Sequence, residues 1–476
     1  MERGRTNRRE LLGWSAALAW TAARGRRDRR LPVPESGIAD IVHWVVTTPR
    51  DPVLRRAARE LHAGLDPASL LGAILVASAR EVRPDRPAFN HAALSVSSID
   101  QLSTTASPEE RQRNALWCLD HFKEAQEHSE EWHMPRVAAA KLPEGAKARA
   151  ALVDALERWD PAAADVALVG WVRSAPLDEV YALVWEYGLR CAANLGHKGI
   201  YAALSRRALP LAGERFAEDV LRSVVASFVP DGRTRDALPF ERSCELAARG
   251  LAARPRRPES DPGPARELLS AIRRTTPEEV PAVAAKLVED GAAPSTLWDA
   301  VSTAAAEVTV TNPAIAPLHA STSTNSLHYI GLHAPSERVA LLALLQSAAW
   351  MAEFRARLSA EESAFRIDAV EAASATLDEI LVEGRRGMPA VRGALWMGAH
   401  APDAFLEDAR RLARTRSDDV HEFKLAAAAL EEARIVGDRV RPFVCAALAV
   451  HLPAPSRADS ARLQRIRDSM EVASAR

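Results

Sequence analysis

Lysine is scarce in this 476-residue chain: six of its 62 basic residues are Lys (123, 141, 147, 198, 286 and 424) and the other 56 are Arg. Cysteine is scarcer still. Cys118, Cys191, Cys244 and Cys445 stand alone, without a CxxC or a short loop framework, which excludes a disulfide scaffold and leaves four small buried hydrophobes. A disulfide between two of them stays open. A charge excess of either sign is missing too, with 62 Lys+Arg against 63 Asp+Glu. Such a chain has no single-signed field for a phosphate backbone, and it carries no RRM, helix-turn-helix or zinc-finger pattern, so nucleic acid is excluded as a partner. Past the N-terminus no stretch approaches about 18 uncharged apolar residues, and no transmembrane segment is expected.

The familiar catalytic templates are absent as well. There is no GxGxxG, P-loop, GxSxG elbow or EF-hand loop. His128 and His133 are five residues apart, a step that does not put two rings on one helical face, so they make no HExxH metal site. Glu422 follows His421 instead of preceding it by three, so no Glu-x-x-His pair of a di-iron bundle is present.

What the chain does have is helix-forming material. Apolar residues are 47%, mostly Ala, Leu and Val, aromatics only 5% and charged residues 26%. Without long alternating β-branched runs this composition predicts an all-α protein, a bundle or a solenoid, and the length allows two to four domains.

Residues 1–37 form a basic N-terminal segment. Thr6-Asn7-Arg8-Arg9-Glu10-Leu11-Leu12 resembles a twin-arginine export signal, followed by an apolar run Leu11–Ala23 and the small residues Thr21-Ala22-Ala23. The five arginines between Arg24 and Arg30 fit a plain basic tail better. Export to the periplasm and residence in the cytoplasm both stay open.

A tandem duplication runs through the rest. Thr48-Pro49-Arg50-Asp51 and Thr276-Pro277-Glu278-Glu279 both read as helix starts with an N-cap Thr and Pro at the first helical position. The same offset, drifting only between 224 and 228, aligns Pro67-Ala68-Ser69-Leu70 with Pro294-Ser295-Thr296-Leu297 and Pro108 with Pro335. It also aligns Ala175-Pro176 with Ala401-Pro402, and Gly213-Glu214-Arg215 with Gly437-Asp438-Arg439. Two helical repeat units are expected, 38–229 and 265–452, separated by a linker 230–264 with a short helix near Leu238–Ala253 and followed by a C-terminal helix or tail 453–476. So long a period rules out short-repeat arrays. It predicts a pseudo-two-fold body, an α/α toroid or paired bundles, with matched residues facing each other.

The register pairs His91 with His319 and His197 with His421. Imidazole is both a metal ligand and an acid/base that titrates near neutrality. Any one of these rings could equally bond a buried carbonyl as a structural group. His91 and His319 are expected at helix starts, exposing rings near backbone N–H groups where the dipole favours the neutral, ligating form. Lys198 and Lys424 sit beside His197 and His421, and Lys123 beside His121. A compact ammonium retained in an Arg-rich chain can donate to a substrate oxygen or shift its pKa on burial. Ser323-Thr324-Asn325-Ser326-Leu327-His328-Tyr329 reads as a polar stretch ahead of an apolar helix Arg338–Met351; His328 falls opposite Asp100, which makes the two units unequal there.

Phe89-Asn90-His91, Leu119-Asp120-His121-Phe122-Lys123, Gly196-His197-Lys198 and Thr324-Asn325-Ser326-Leu327-His328-Tyr329 resemble segments of an uncharacterised family of helical bacterial proteins, which implies no activity. In its helical character and scattered His the chain is also faintly similar to questin-oxidase-like proteins, a resemblance that implies oxygen-dependent, Baeyer–Villiger-type oxidation.

The expectation is a His-lined enzyme or small-molecule-binding protein, oxidoreductase-like and metal-dependent, with its site between the halves. His91, His197, His319 and His421 are the metal candidates, and Lys198, Lys424, His328 and Tyr329 the catalytic ones. Neutral His ligands favour Zn, Fe or Cu over Mg or Ca. The rival is a non-catalytic helical scaffold with structural histidines. Rings more than about 10 Å apart, or each bonded to a carbonyl, would count against a shared metal.

Overall fold

The computed structural model describes residues 35–84, 90–138, 142–190, 192–228, 240–250, 261–381 and 387–475. Among them the regular structure is entirely helical, 23 α-helices with a few 3-10 turns and no strand. The export-signal reading of the N-terminus, like Phe89 and Cys191, lies outside the described residues.

Local chemistry sets many of the helix ends. Asn90 caps His91–Leu102: its side chain accepts from Ala93 N at 3.1 Å, while its amide donates to Ser78 O at 2.6 Å. Asp419 and Glu422 form a capping box at the start of Val420–Ile435, each side chain bonding the other's backbone N–H or its neighbour's. Ser107 and Glu110 do the same for Pro108–Glu127. The expected Thr caps at 48 and 276 are corrected. The first helix begins at Arg50 after Pro49 with no side-chain cap, and the second begins at Val280, three residues beyond Pro277.

Four helices form the centre: His91–Leu102, His197–Ala212, Ile315–His333 and Val420–Ile435. The first packs on the second and the fourth, and the third does likewise, closing a ring of contacts in which each half touches the other twice. Around the first, Pro67–Glu81 and Pro108–Glu127 pack on each other and on it; around the third, Pro294–Thr311 and Glu337–Ala356 do the same. Buried apolar residues from Ile38 to Ala473 make one continuous core. Burial of this surface at roughly 25 cal/mol per Å² is what holds short Ala-rich helices together, since few would persist alone. Glu337–Ala356 is long and apolar enough to cross a membrane, but 83% of its apolar window is buried inside the structure.

Three other boundaries differ from expectation. Within the expected linker a helix Phe240–Gly250 forms, and the next one starts at Gly263 inside the same segment. The apolar helix expected at Arg338–Met351 forms as Glu337–Ala356, but Ser323–Tyr329 ahead of it is no helix entry; it lies in the middle of Ile315–His333. The C-terminal segment is no loose tail, because Ala461–Ser474 packs on Arg50–His62 and Pro108–Glu127. Its anchor is Asp120, a fully buried carboxylate that accepts from Arg50 at 2.9 and 2.7 Å and from Arg462 at 2.9 Å.

Candidate functional site

Three of the four central helices start at or next to a histidine. His91 and His197 are the first residues of theirs, His421 is the second, and His319 is the fifth, one turn in. Because the helices meet at these ends, four imidazoles from four distant parts of the sequence come together. His91 Nε2 lies 3.0 Å from His197 Nε2, and His319 Nε2 lies 3.2 Å from the same atom. His421 completes the group with ring centroids 5.0 Å from His91 and 5.3 Å from His319, each edge-on. His197 and His319 are buried, whereas His91 and His421 keep a partly open edge. The expectation that His319 would be exposed at a helix start is therefore corrected: it sits a turn inside the helix, where the neighbouring helices cover it.

The outer nitrogens are held. His197 Nδ1 meets Asn194 O at 2.6 Å and His319 Nδ1 meets Ile315 O at 2.7 Å. A carbonyl can only accept, so in both rings Nδ1 carries the proton. His421 Nδ1 meets the Asp419 carboxylate at 2.9 Å, and the same oxygen takes the His421 backbone N–H at 2.7 Å. Bonds of this kind fix a ligand's tautomer and point its Nε2 lone pair inward. A carbonyl bond on Nδ1 thus fixes the tautomer and leaves Nε2 the ligating atom. The expectation that such bonds would count against a metal is corrected on this ground.

The position of His197 comes with strain in the turn ahead of it. Asn194, Leu195 and Gly196 are all left-handed, with φ of 53°, 61° and 79°. For the two non-glycine residues this costs about 1–2 kcal/mol each. The turn aims Asn194 O at the His197 ring. It also brings Gly196 so close to the third helix and to Glu337–Ala356 that an added Cβ would stand 3.1 Å from Ser323 Cβ on the one and 2.9 Å from the Trp350 ring on the other.

Electrostatics keep three of the rings neutral. Burial pushes His91, His197 and His319 well below the ordinary histidine pKa, and the Lys424 ammonium pushes each further down. Lys424 is itself lowered to about 7, by burial, with Asp419 opposing. Burial alone would raise the Asp419 carboxyl, but the His421 ring outweighs it and the group ends below its usual value.

A conflict follows at the centre of the cluster. His197 Nε2 can accept one proton, from His91. It cannot accept one from His319, whose single proton is on Nδ1. Two lone pairs therefore face each other at 3.2 Å. Nitrogen ligands on a tetrahedral zinc at 2.0–2.1 Å would be about 3.3 Å apart, close to both Nε2 separations. The rings are gathered, however, without being closed: among the described residues no group of three or more His, Cys, Asp or Glu side chains could hold a metal ion as it stands.

The remaining candidates separate. Lys424 belongs to the cluster, one turn beyond His421 on the same helix. Lys198 does not; its ammonium sits over the Trp159 ring at 5.3 Å. His197 and Lys198 are adjacent and so project about 100° apart on a helix, which no sequence proximity overcomes. His328 and Tyr329 lie nine and ten residues past His319, about 14 Å along the axis. His328 bonds the buried Glu432 at 2.9 Å and stacks on Trp298 at 4.3 Å, while Tyr329 stacks on His333 at 4.1 Å beneath Arg207. They form a separate network with Ser302 and Asn325, both of which donate to Glu432.

Sequence reasoning missed Asp419, although the Asp-x-x-Glu capping box beside His421 was readable. It also missed Glu432, for which no local signal exists. No protein-family profile, no curated protein and no solved structure matches this chain.

Proposed function

We propose that the chain is a metal-dependent protein holding one transition-metal ion between its halves through Nε2 of His91, His197, His319 and His421. The carrying observation is the His197–His319 contact. Both rings have their proton on Nδ1, burial and Lys424 disfavour a second proton, and a cation would bond Nε2 of both rings where no proton bridges them. Neutral imidazoles suit Zn, Cu or Fe. Lys424 supplies a proton donor beside the ion, as a small-molecule enzyme would need. Redox chemistry with Fe or Cu and Lewis-acid chemistry with Zn are the two routes this ligand set allows.

The tandem duplication belongs to the same proposal. Helix order supports it in part: His91 and His319 each lie on the fourth α-helix of their segment (35–228 and 263–449), and His197 and His421 on the second-last, with one more short helix in the second segment. On this reading an ancestral unit with two histidines formed the site by pairing with its copy.

The test is elemental analysis of purified full-length protein after exposure to Zn, Cu or Fe, alongside His319→Ala. About one ion per chain, lost in the variant, is expected. Folded wild type that retains no ion and whose melting is indifferent to chelator would overturn the proposal. It would favour the second reading, a helical scaffold with structural histidines, which the carbonyl bonds of His197 and His319 also permit.

A further inference from the structure

One and two turns beyond each histidine, the same four helices line a small cavity with about 10 Å³ of free space, room for roughly one water. Its walls include Lys424 and Ala428 (three and seven residues past His421), Thr322 and Ser326 (three and seven past His319), Ile200 (three past His197) and Ser98 (seven past His91). Residues three and seven apart share a helix face, so the cavity continues the axis on which the rings meet.

Two buried donors on this wall have no hydrogen-bond partner, Lys424 Nζ and Thr322 Oγ1. Native interiors leave few such atoms orphaned, and an unpaired buried ammonium is the costliest kind. The charges around it do not answer it fully. Arg207 and Glu431 pair with each other at 2.7 Å, Glu432 is taken up by His328, Ser302 and Asn325, and Asp419 by His421. Helix N-termini converge on the same place and add positive potential.

We infer that this cavity is the binding site for a small singly charged anion, a halide or the carboxylate end of a small acid, held by Lys424 and Thr322 next to the histidine cluster. The inference rests on the proposed metal site in one respect. A dication held by the four rings brings two positive charges into a buried place whose nearby carboxylate, Asp419, already faces His421 and Lys424. An anionic ligand offsets that charge, and the donors of the wall select it.

The experiment is calorimetric titration of full-length protein, with metal and without, using sodium formate and sodium bromide against a constant sulfate background too large for the cavity. Wild type is compared with Lys424→Met and Thr322→Val, and metal content is measured in each. We expect one anion per chain, bound at least about tenfold more weakly by Lys424→Met with its metal content unchanged. Formate without bromide identifies a carboxylate site; both together identify a general small-anion site. Should Lys424→Met fail to fold, severalfold weakening in Thr322→Val supports the same site. Metal-free protein that still binds formate through Lys424 would end the metal proposal and leave this one standing. Folded, metal-loaded wild type that binds neither anion, or variants that bind as tightly as wild type, would overturn it: an adventitious site, or one filled by water.

Discussion

Lys424→Met should make the metal-free protein more stable at neutral pH. The amine is fully buried and its pKa falls from 10.5 to about 7, by burial. A depressed pKa means that between these values the unfolded chain binds a proton that the folded chain rejects. Stability is therefore undiminished above pH 10.5 and falls with pH down to about 7, where the folded amine also protonates and the loss levels off. The gap of 10.5 − 7 is 3.5 units, and at 1.36 kcal/mol per unit the loss amounts to about 5 kcal/mol at pH 7. Methionine keeps the length of the side chain without the charge, so the variant avoids this loss with little change in packing. Urea unfolding of both proteins at several pH values from 7 to 10.5 reads it directly. The variant should gain several kcal/mol at pH 7, and the advantage should shrink by about 1.4 kcal/mol per pH unit on the way up. A variant that is less stable at pH 7, or a difference that does not change with pH, would refute the reasoning. Taking the difference between the two proteins cancels the thiols and tyrosines that titrate in the same range.

Two further outcomes are expected. His91, His197 and His319 have pKa values far below that of a free histidine, so the unfolded chain alone takes up their protons as pH drops below about 6.5. Metal-free protein should lose stability steeply below that pH, by up to about 4 kcal/mol per unit for three rings, while His319→Ala loses roughly a third of the slope; a melting temperature flat from pH 7 to 5 would contradict it. Gly196→Ala should destabilise by roughly 1–3 kcal/mol, since the residue combines a φ of 79° with a Cβ position 2.9 Å from Trp350. Denaturant midpoints read this, and a neutral effect would mean that the turn before His197 relaxes freely.

The helical character of this chain was legible from composition because Ala, Leu, Arg and Glu act locally, each residue favouring helix without reference to distant partners. Caps that need only a few residues, such as Ser107 with Glu110, are local in the same way, and the Thr48 and Thr276 starts failed because proline alone does not determine whether the preceding hydroxyl turns back. Matching local sequence at an offset of 224–228 picked out His91, His197, His319 and His421 from thirteen histidines, and the structure brings those four rings together. Lys198 shows the limit of that approach. It is next to His197 in sequence, yet a helix turns it away to Trp159, while Lys424, three residues from His421, falls on the right face. What only the tertiary structure decided is how four helix starts meet: which nitrogen of each ring is tied to Asn194, Ile315 or Asp419, and that His319 is buried a turn inside its helix. The ties to Asn194, Ile315 and Asp419 each lie within four residues of their ring and orient it locally. The meeting of the rings depends on residues more than a hundred positions apart, His91 with His197 and His197 with His319, where packing, not propensity, sets the distance.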